Sequence, residues 1–519
     1  MRNLISLCTL SVFILSSVLS VIACRPVQET AVLRNDLGVY LGEEGRNDEA
    51  ITEFNKAIEL DPEFALAYSN RAYIYIKKGD FDKAIADCDK AIGLAPNLAI
   101  AYSNRGNAYT KQGSYDKAIN DCNRAIELDP ELAQAYSNRA YAYTKKGEFD
   151  KAIADCDRAI DLVPGLALTY SNRAYTYNEK GEFDKAIADC DRAIELDPRL
   201  AQAYSNRADA YNRKGMFDKA IADCSRAIEL APNFALAYNY RAYAYNGKDE
   251  FDKAIVDCNR AIELDPELAR AYVNRGYAYG WKGEADKEIA DYNKAIELDP
   301  NVALAYSNRA NTYNEKGEFD KAIADCDRAI ELDPGLAQAY SSRGDAYNRK
   351  GDFDKAIADC DKAIDLDPGL VAAYNHRGHA YNRKGELDKA IVDCTRAIEL
   401  NPKYTQAYSN RGAAYFDKGE LDKAIADSSK AIELSPEAPV LYVNRGHVYM
   451  AKGEFYKAIS DYDKAIDYDV KYAWAYYLRG VAYKALDRNV EAISDFETCI
   501  ELSQDPSMIE SAKQELTGL

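Results

Sequence analysis

A proline returns every 34 residues through most of this chain: Pro62, Pro96, Pro130, Pro164, Pro198, Pro232, Pro266, Pro300, Pro334, Pro368, Pro402 and Pro436. A fixed period of this length is the mark of a stacked array. Each copy is one small supersecondary unit that cannot bury its apolar face alone and covers it with its neighbours. Counting places within a copy from Ala31 puts these prolines at place 32 and gives about fourteen repeats from Ala31 to Pro506.

One repeat, residues 303–336, shows the local design. Ala305, Tyr306, Ala310 and Tyr313 fall at helical spacing, and Gly317 stops that helix because glycine tolerates the left-handed conformation of a helix end. A second helix carries Ala322, Ile323, Cys326, Ala329, Ile330 and Leu332 and ends at Asp333-Pro334. The same pair is expected to open the next helix, with Asp as N-cap and Pro at the first helical place.

Small residues at places 8, 20 and 27, an aromatic at place 11, Gly at place 15 and Pro at place 32 resemble the tetratricopeptide repeat, over residues 31–506. The resemblance implies an all-α fold, a right-handed superhelical solenoid of tandem helix-turn-helix repeats. Departures are local: Asp249 and Asp487 at place 15, Glu288 at place 20 and Val470 at place 32. After Pro506, Met508, Ile509, Ala512 and Leu516 lie along one helical face, so residues 507–519 read as a capping helix.

Place 7, usually apolar in that family, is Arg in thirteen repeats, from Arg71 to Arg479, and the same thirteen carry Asp at place 23, from Asp87 to Asp495. In a hairpin that turns near place 15 or 16 these two places lie across from one another. A partly buried, hydrogen-bonded ion pair is expected in each, such as Arg309 with Asp325. Nine of the 12 cysteines sit at place 24, where other repeats have Tyr292, Ser428, Tyr462 or Phe496, and the interchange with aromatics reads as a packed, buried place.

The start of the chain differs. Arg2 precedes an apolar run from Leu4 to Ile22, and Val21-Ile22-Ala23-Cys24 follows. A charged end, an apolar middle and a small residue before the cut describe a secretory signal over residues 1–23. The last four residues resemble the lipobox of bacterial lipoproteins, which implies lipidation at Cys24, a short tether over 24–30 and a lipid anchor at the cell envelope, at the outer membrane in a diderm host. A plain secretory signal and an uncleaved anchor are the alternatives. The reduced cysteines expected in the repeats sit uneasily with export.

Function is expected on the first helix of each repeat, which by the family's architecture lines the inner groove. Place 6 is a column of amides: Asn70, Asn104, Asn138, Asn172, Asn206, Asn274, Asn308, Asn410 and Asn444. Such a column offers donors and acceptors to a peptide backbone, and it resembles the asparagine ladder of the O-GlcNAc transferase repeat region. Place 9 adds Tyr73, Tyr141, Tyr175, Tyr243 and Tyr277, and place 13 adds Lys77, Lys111, Lys145, Arg213, Arg349 and Arg383. The clamp by which chaperone-binding repeats hold a terminal carboxylate looks incomplete, since place 2 is basic only at Arg270. No phosphate loop, paired-carboxylate site or nucleophile with a base stands out. His376 and His379, with Asp345 one repeat earlier, make a weak metal constellation, so no cofactor or metal is expected. A net charge of −19 argues against nucleic acid as a partner. The sequence therefore points to a non-catalytic scaffold for protein or extended-peptide partners. A cytosolic co-chaperone-like adaptor and a regulatory subunit of an enzyme complex are the alternatives, and the oligomeric state stays open.

Overall fold

The computed structural model describes residues 30–519. Among them are 29 helices and no strand. Each repeat contributes two: α1 (Ala31–Glu43) and α2 (Asn47–Leu60) form the first, α3 (Ala65–Lys78) and α4 (Phe81–Leu94) the second, and the pattern continues to α29 (Pro506–Thr517). The chain divides into two compact halves, one ending at Leu264 and the other starting at Asp265. Within each half the first helices of successive repeats touch one another, whereas the second helices do not. The first helices therefore lie on the inside of the curve.

The turn between the two helices needs a left-handed residue at place 15. Twelve repeats supply glycine there, Gly317 with φ 76° among them, while Asp249 and Asp487 adopt φ of 60° and 57° despite carrying a side chain. Asp is among the few residues that bear this conformation, so these two departures leave the hairpin intact. The Asp-Pro pair behaves differently from expectation. Helix Ala337–Lys350 begins three residues after Pro334, and its N-cap is Leu336 with no side-chain cap bond. Asp333 instead ends the preceding helix and accepts a bond from the Gly335 N–H at 2.9 Å. The carboxylate closes a local turn and caps no helix. An Asp-Pro pair does open α29, where Asp505 accepts from the Ser507 N–H and Pro506 takes the first turn.

Packing between the two helices is a matter of size matching. Where place 24 is a cysteine, place 8 is Ala or Gly. Where it is aromatic, in Phe54, Tyr292, Tyr462 and Phe496, place 8 is Gly38, Gly276, Gly446 and Gly480. A Cβ on Gly446 would lie 2.5 Å from Cε1 of Tyr462, a buried ring with no room to retreat. Gly446→Ala is expected to cost about 1–3 kcal/mol by overpacking. Adding Tyr462→Cys would recreate the Ala72/Cys88 pair of the second repeat, so the double variant should recover most of the loss in a denaturant melt.

The cysteines at place 24 are fully buried beneath this contact. Burial drives the Cys394 thiol up to about 12, and those of Cys88, Cys122 and Cys156 higher still. Because the thiolate is the reactive form, these cysteines are expected to resist alkylation at pH 8 in the folded chain and to react on unfolding. Rapid labelling of the native protein would contradict the packing.

The predicted ion pairs are present in all thirteen repeats. Each is bidentate: Nε and Nη2 of the arginine donate to the two oxygens of the aspartate, as from Arg309 to Asp325, both at 2.7 Å. The thirteen aspartates are only 5–8% exposed. The guanidinium also lies over two tyrosine rings, Tyr306 and Tyr313, at 5.6 and 5.8 Å for Arg309. A third contact was not foreseen. In twelve repeats the remaining nitrogen, Nη1, donates to place 25 of the preceding repeat, for example Arg309 to Asn293, Arg343 to Asp327 and Arg411 to Thr395. One side chain thus closes its own hairpin and fastens it to its neighbour. The first repeat, with Leu37 at place 7, uses Arg34 on Glu53 at 2.7 Å instead.

Further bonds follow the same period. Tyr at place 4 donates to the carbonyl of the preceding Pro, as Tyr102 to Pro96 at 3.2 Å. Lysines at place 14 reach back to the place-18 aspartate of the preceding repeat, as Lys146 to Asp116 at 2.7 Å and Lys316 to Asp286 at 2.9 Å. At the far end α29 covers the last repeat as a cap: Ala512 is fully buried with Phe496 and Cys499, and Met508 and Leu516 pack on them.

Candidate functional site

Places 2, 5, 6, 9, 12 and 13 of the first helices, expected to line the inside of the curve, differ in how far the fold already uses them. The amide column at place 6 is first a seam between repeats. Asn104 donates through Nδ2 to the carbonyl and hydroxyl of Ser69, at 3.1 and 3.2 Å. Asn138 does the same to Ser103, and Asn206 to Ser171. Asn172 donates to the Ser137 hydroxyl at 3.1 Å. All four are buried. Asn70 and Asn410 donate to Asn35 and Asn375, both at 2.9 Å, and Asn308 bonds the hydroxyl of Tyr292. Asn444 is exposed, 3.5 Å from the Ser409 hydroxyl, and Asn274 is half-buried. In these repeats the N–H donors expected to grip a peptide backbone are therefore committed to the preceding repeat. The place-5 serine, one residue earlier in the motif, is the acceptor that draws them in.

His376 occupies place 6 in its repeat and makes the equivalent contact, Nδ1 to the Ser341 carbonyl at 3.2 Å. Its Nε2 is 4.0 Å from Asp345. Place 12 adds a second seam that sequence reasoning missed. Asn178, Asn314 and Asn348 donate to the place-6 carbonyl of the following repeat, at 2.7, 2.8 and 2.8 Å. The recurrence of Asn at place 12 was the available signal.

Places 9 and 13 are what the fold leaves outward. Tyr73, Tyr243 and Tyr277 are 43%, 42% and 39% exposed. Tyr141 and Tyr175 are half-buried, their rings 5.8 Å apart, and Tyr277 meets Trp281 edge-on at 6.3 Å. The basic residues at place 13 fall into two groups. Arg213 and Arg349 face an aspartate of their own helix, Asp209 at 3.6 Å and Asp345 at 3.5 Å. Lys77 and Lys111 lie instead over tyrosine rings, Lys77 over Tyr73 at 4.8 Å and Lys111 over Tyr141 at 5.1 Å. Lys145 lies over Tyr175 at 4.7 Å and donates to its hydroxyl at 2.7 Å. Cys24 and residues 1–29 lie outside the described residues. Among the described residues no helix is long and apolar enough to cross a membrane.

Two helices of fixed length, a left-handed turn at place 15 and small residues at the crossing define a tetratricopeptide-type array. The tetratricopeptide repeat model matches residues 65–268 as six consecutive copies and 303–404 as three more, and related models of the same repeat match 41–79, 269–302, 394–426, 412–453, 446–487 and 475–506. The chain belongs to the tetratricopeptide repeat family. Among solved structures it resembles the APC/C hetero-tetramer Cut9-Hcn1, at a TM-score of 0.61 and 18% identity over 89% of this chain and 98% of the other. It also matches yeast Tom70 at a TM-score of 0.34 and 21% identity, over 78% of this chain and 92% of the other. No curated protein sequence matches it.

Proposed function

We propose that this protein is a scaffold that holds a partner protein, as an extended segment, along the inside face of its first helices. The observation that carries this reading is the division of labour within one motif. Place 7 and most of the place-6 and place-12 side chains are tied up between helices and repeats, while Tyr73, Tyr243 and Tyr277 stand about two-fifths exposed. Rigid amphipathic rings exposed on first helices supply contact area at low entropic cost. The family supports the same reading, since its members are built for protein contacts. Anchoring at the cell envelope through Cys24 is a further part of the proposal and rests on the lipobox-like residues alone.

Site-specific photo-crosslinking in the host tests the first part. A crosslinking residue in place of Tyr73, Tyr243 or Tyr277 is expected to yield discrete protein adducts. The same residue in place of Val256 or Val392, equally apolar and exposed at 65% and 67% but on second helices, is expected to yield none. Adducts confined to the second-helix positions would move the partner to the other face and end the groove reading. The intact mass of membrane-extracted protein tests the anchor: a chain starting at Cys24 with acyl mass supports it, and a chain starting at Met1 in the soluble fraction rejects it.

A further inference from the structure

The two ends of the array are finished differently. In the thirteen repeats that follow another, places 3, 7 and 10 of the first helix meet the repeat before. At place 3, Thr169 donates to the Ser137 hydroxyl at 3.3 Å. At place 7, Arg343 reaches Asp327. At place 10, Ala108 is buried with Ala84 and Cys88, and Ala346 with Ala322 and Cys326. No residue at places 3 and 10 of these repeats is more than 6% exposed. In the first repeat the same three places hold Leu33, Leu37 and Tyr40, exposed at 49%, 39% and 55%. They fall along one side of α1 at i, i+4 and i+7. A terminal repeat ordinarily turns a polar face outward. The last repeat is covered by α29 instead, and the first has neither device.

This seat suits a helix better than a flat surface. Exposed Asp36 and Glu43 run beside the stripe, and the chain carries a net charge of −19, so a bilayer would have to take acidic groups along with the apolar ones. The chain's own upstream residues fit poorly. Residues 13–26 stand where a preceding second helix would fall, 34 before Asn47–Leu60. That register would give Ile14, Leu15, Val18 and Ile22 to places 18, 19, 22 and 26, which are exposed in α4 as Asp82, Lys83, Ala86 and Lys90. It would also bring a repeat against Tyr40, at a place that elsewhere holds nothing bulkier than Ile74. Head-to-tail stacking of two copies is blocked at the last repeat by α29. Among the described first helices only α1 leaves places 3 and 10 uncovered, so the matching apolar stripe is α1 of another copy.

We infer that α1 is a self-association surface, through which two copies of this chain pair about a two-fold axis. With the two helices antiparallel, Leu37 lies beside the partner's Leu37 and Leu33 beside the partner's Tyr40, so one stripe covers itself twice. Because both copies use the same patch, the contact closes at two and does not grow into a filament. A single helix pair is a small interface, so the dimer is expected to dissociate with a Kd on the order of micromolar or weaker. Two arrays joined at their first repeats present every other surface twice, which raises avidity for a multivalent partner. The pairing does not depend on what the groove holds.

The test uses the full chain extracted from its host in mild detergent. With a short bismaleimide, Leu37→Cys is expected to give a covalent dimer that the parent chain does not give, since the cysteines of the repeats are buried. Val490→Cys, on the last repeat and 80% exposed, should give none. Sedimentation velocity between about 1 and 100 µM should show monomer passing to dimer, as strongly at about 300 as at about 50 mM salt, because the contact is apolar. Leu33→Ala, Leu37→Gln and Tyr40→Ala together should raise the midpoint concentration at least tenfold. Circular dichroism should stay unchanged, because these side chains are exposed. Absence of the Leu37→Cys dimer, an equal yield from Val490→Cys, or a triple variant that sediments as the parent does would each overturn the pairing. So would a link from the Leu37→Cys position to residues before Thr30 or to a different protein, which would make that the occupant instead. None of these outcomes touches the crosslinks expected at Tyr73, Tyr243 and Tyr277, so the groove reading stands or falls separately.

Discussion

Asp325→Ala is expected to cost about 3–5 kcal/mol, because it leaves the Arg309 guanidinium inside the hairpin without its bidentate partner. The aspartate is 8% exposed and both bonds are 2.7 Å. The guanidinium cannot lose its proton to escape the penalty. Arg309→Ala should be comparably severe for added reasons, since it also releases Asn293 in the preceding repeat and uncovers two tyrosine rings. With both residues removed, no unpaired charge remains, so the double variant should be less destabilised than the two losses added together, by up to about 3 kcal/mol. Denaturant midpoints of the four proteins measure this. Strict additivity would mean that the pair contributes nothing as a pair. The same cycle at an exposed couple such as Lys316 and Asp286 should give less than about 1 kcal/mol.

Stability of the second half is expected to fall as pH rises from about 4.5 to 7, through one residue. Every other repeat has Ala at place 20; here Glu288 is buried, 9% exposed, with its carboxylate in the space left by Gly280, whose Cβ would lie 2.5 Å from it. Burial pushes its pKa from the ordinary 4.5 to about 7, against bonds from the Thr312 and Tyr292 hydroxyls, and nearby Glu315 adds to the rise. The fold therefore favours the neutral acid. Below 4.5 both folded and unfolded chains are protonated and its contribution is complete. Above 7 the buried group is charged and the contribution is lost. Moving the titration by this amount corresponds to about 3 kcal/mol. Glu288→Gln keeps the shape and removes the charge, so it should match the wild type near pH 4 and exceed it at pH 8. Parallel stability profiles for the two proteins across that range would refute the assignment.

The period, the helix pair and the ion pair were legible because each recurs in identical form. Thirteen joint occurrences of Arg at place 7 and Asp at place 23 carry positional information that a single repeat would not. The third contact of that arginine was not legible, because its acceptor at place 25 varies among Asp, Asn, Ser and Thr, which share only an oxygen at hydrogen-bonding reach. The amide column was legible as a column but not in its direction. Whether Asn104 faces a ligand or Ser69 depends on how closely successive first helices approach, a tertiary quantity absent from the motif. The Asp-Pro pair misled for a similar reason: as a dipeptide it suits a helix start, yet the two intervening residues let the turn close on the aspartate itself. Glu288 stood out as a lone departure, but its burial depended on Gly280 on the facing helix.

The bridging arginine also makes the joints between repeats interchangeable. Within the second half Arg343 reaches back to Asp327 just as Arg309 reaches back to Asn293. Excision of residues 303–336 would therefore present Arg343 with the acceptor that Arg309 now uses, and no new surface would have to be invented. Reach along a partner can thus be lengthened or shortened in whole steps, by duplication or loss of a block, while the chemistry of every remaining joint stays as it was. The same equivalence places a demand on folding. Neighbouring blocks offer nearly the same seat, so correct order depends on docking to the adjacent block before a more distant copy arrives.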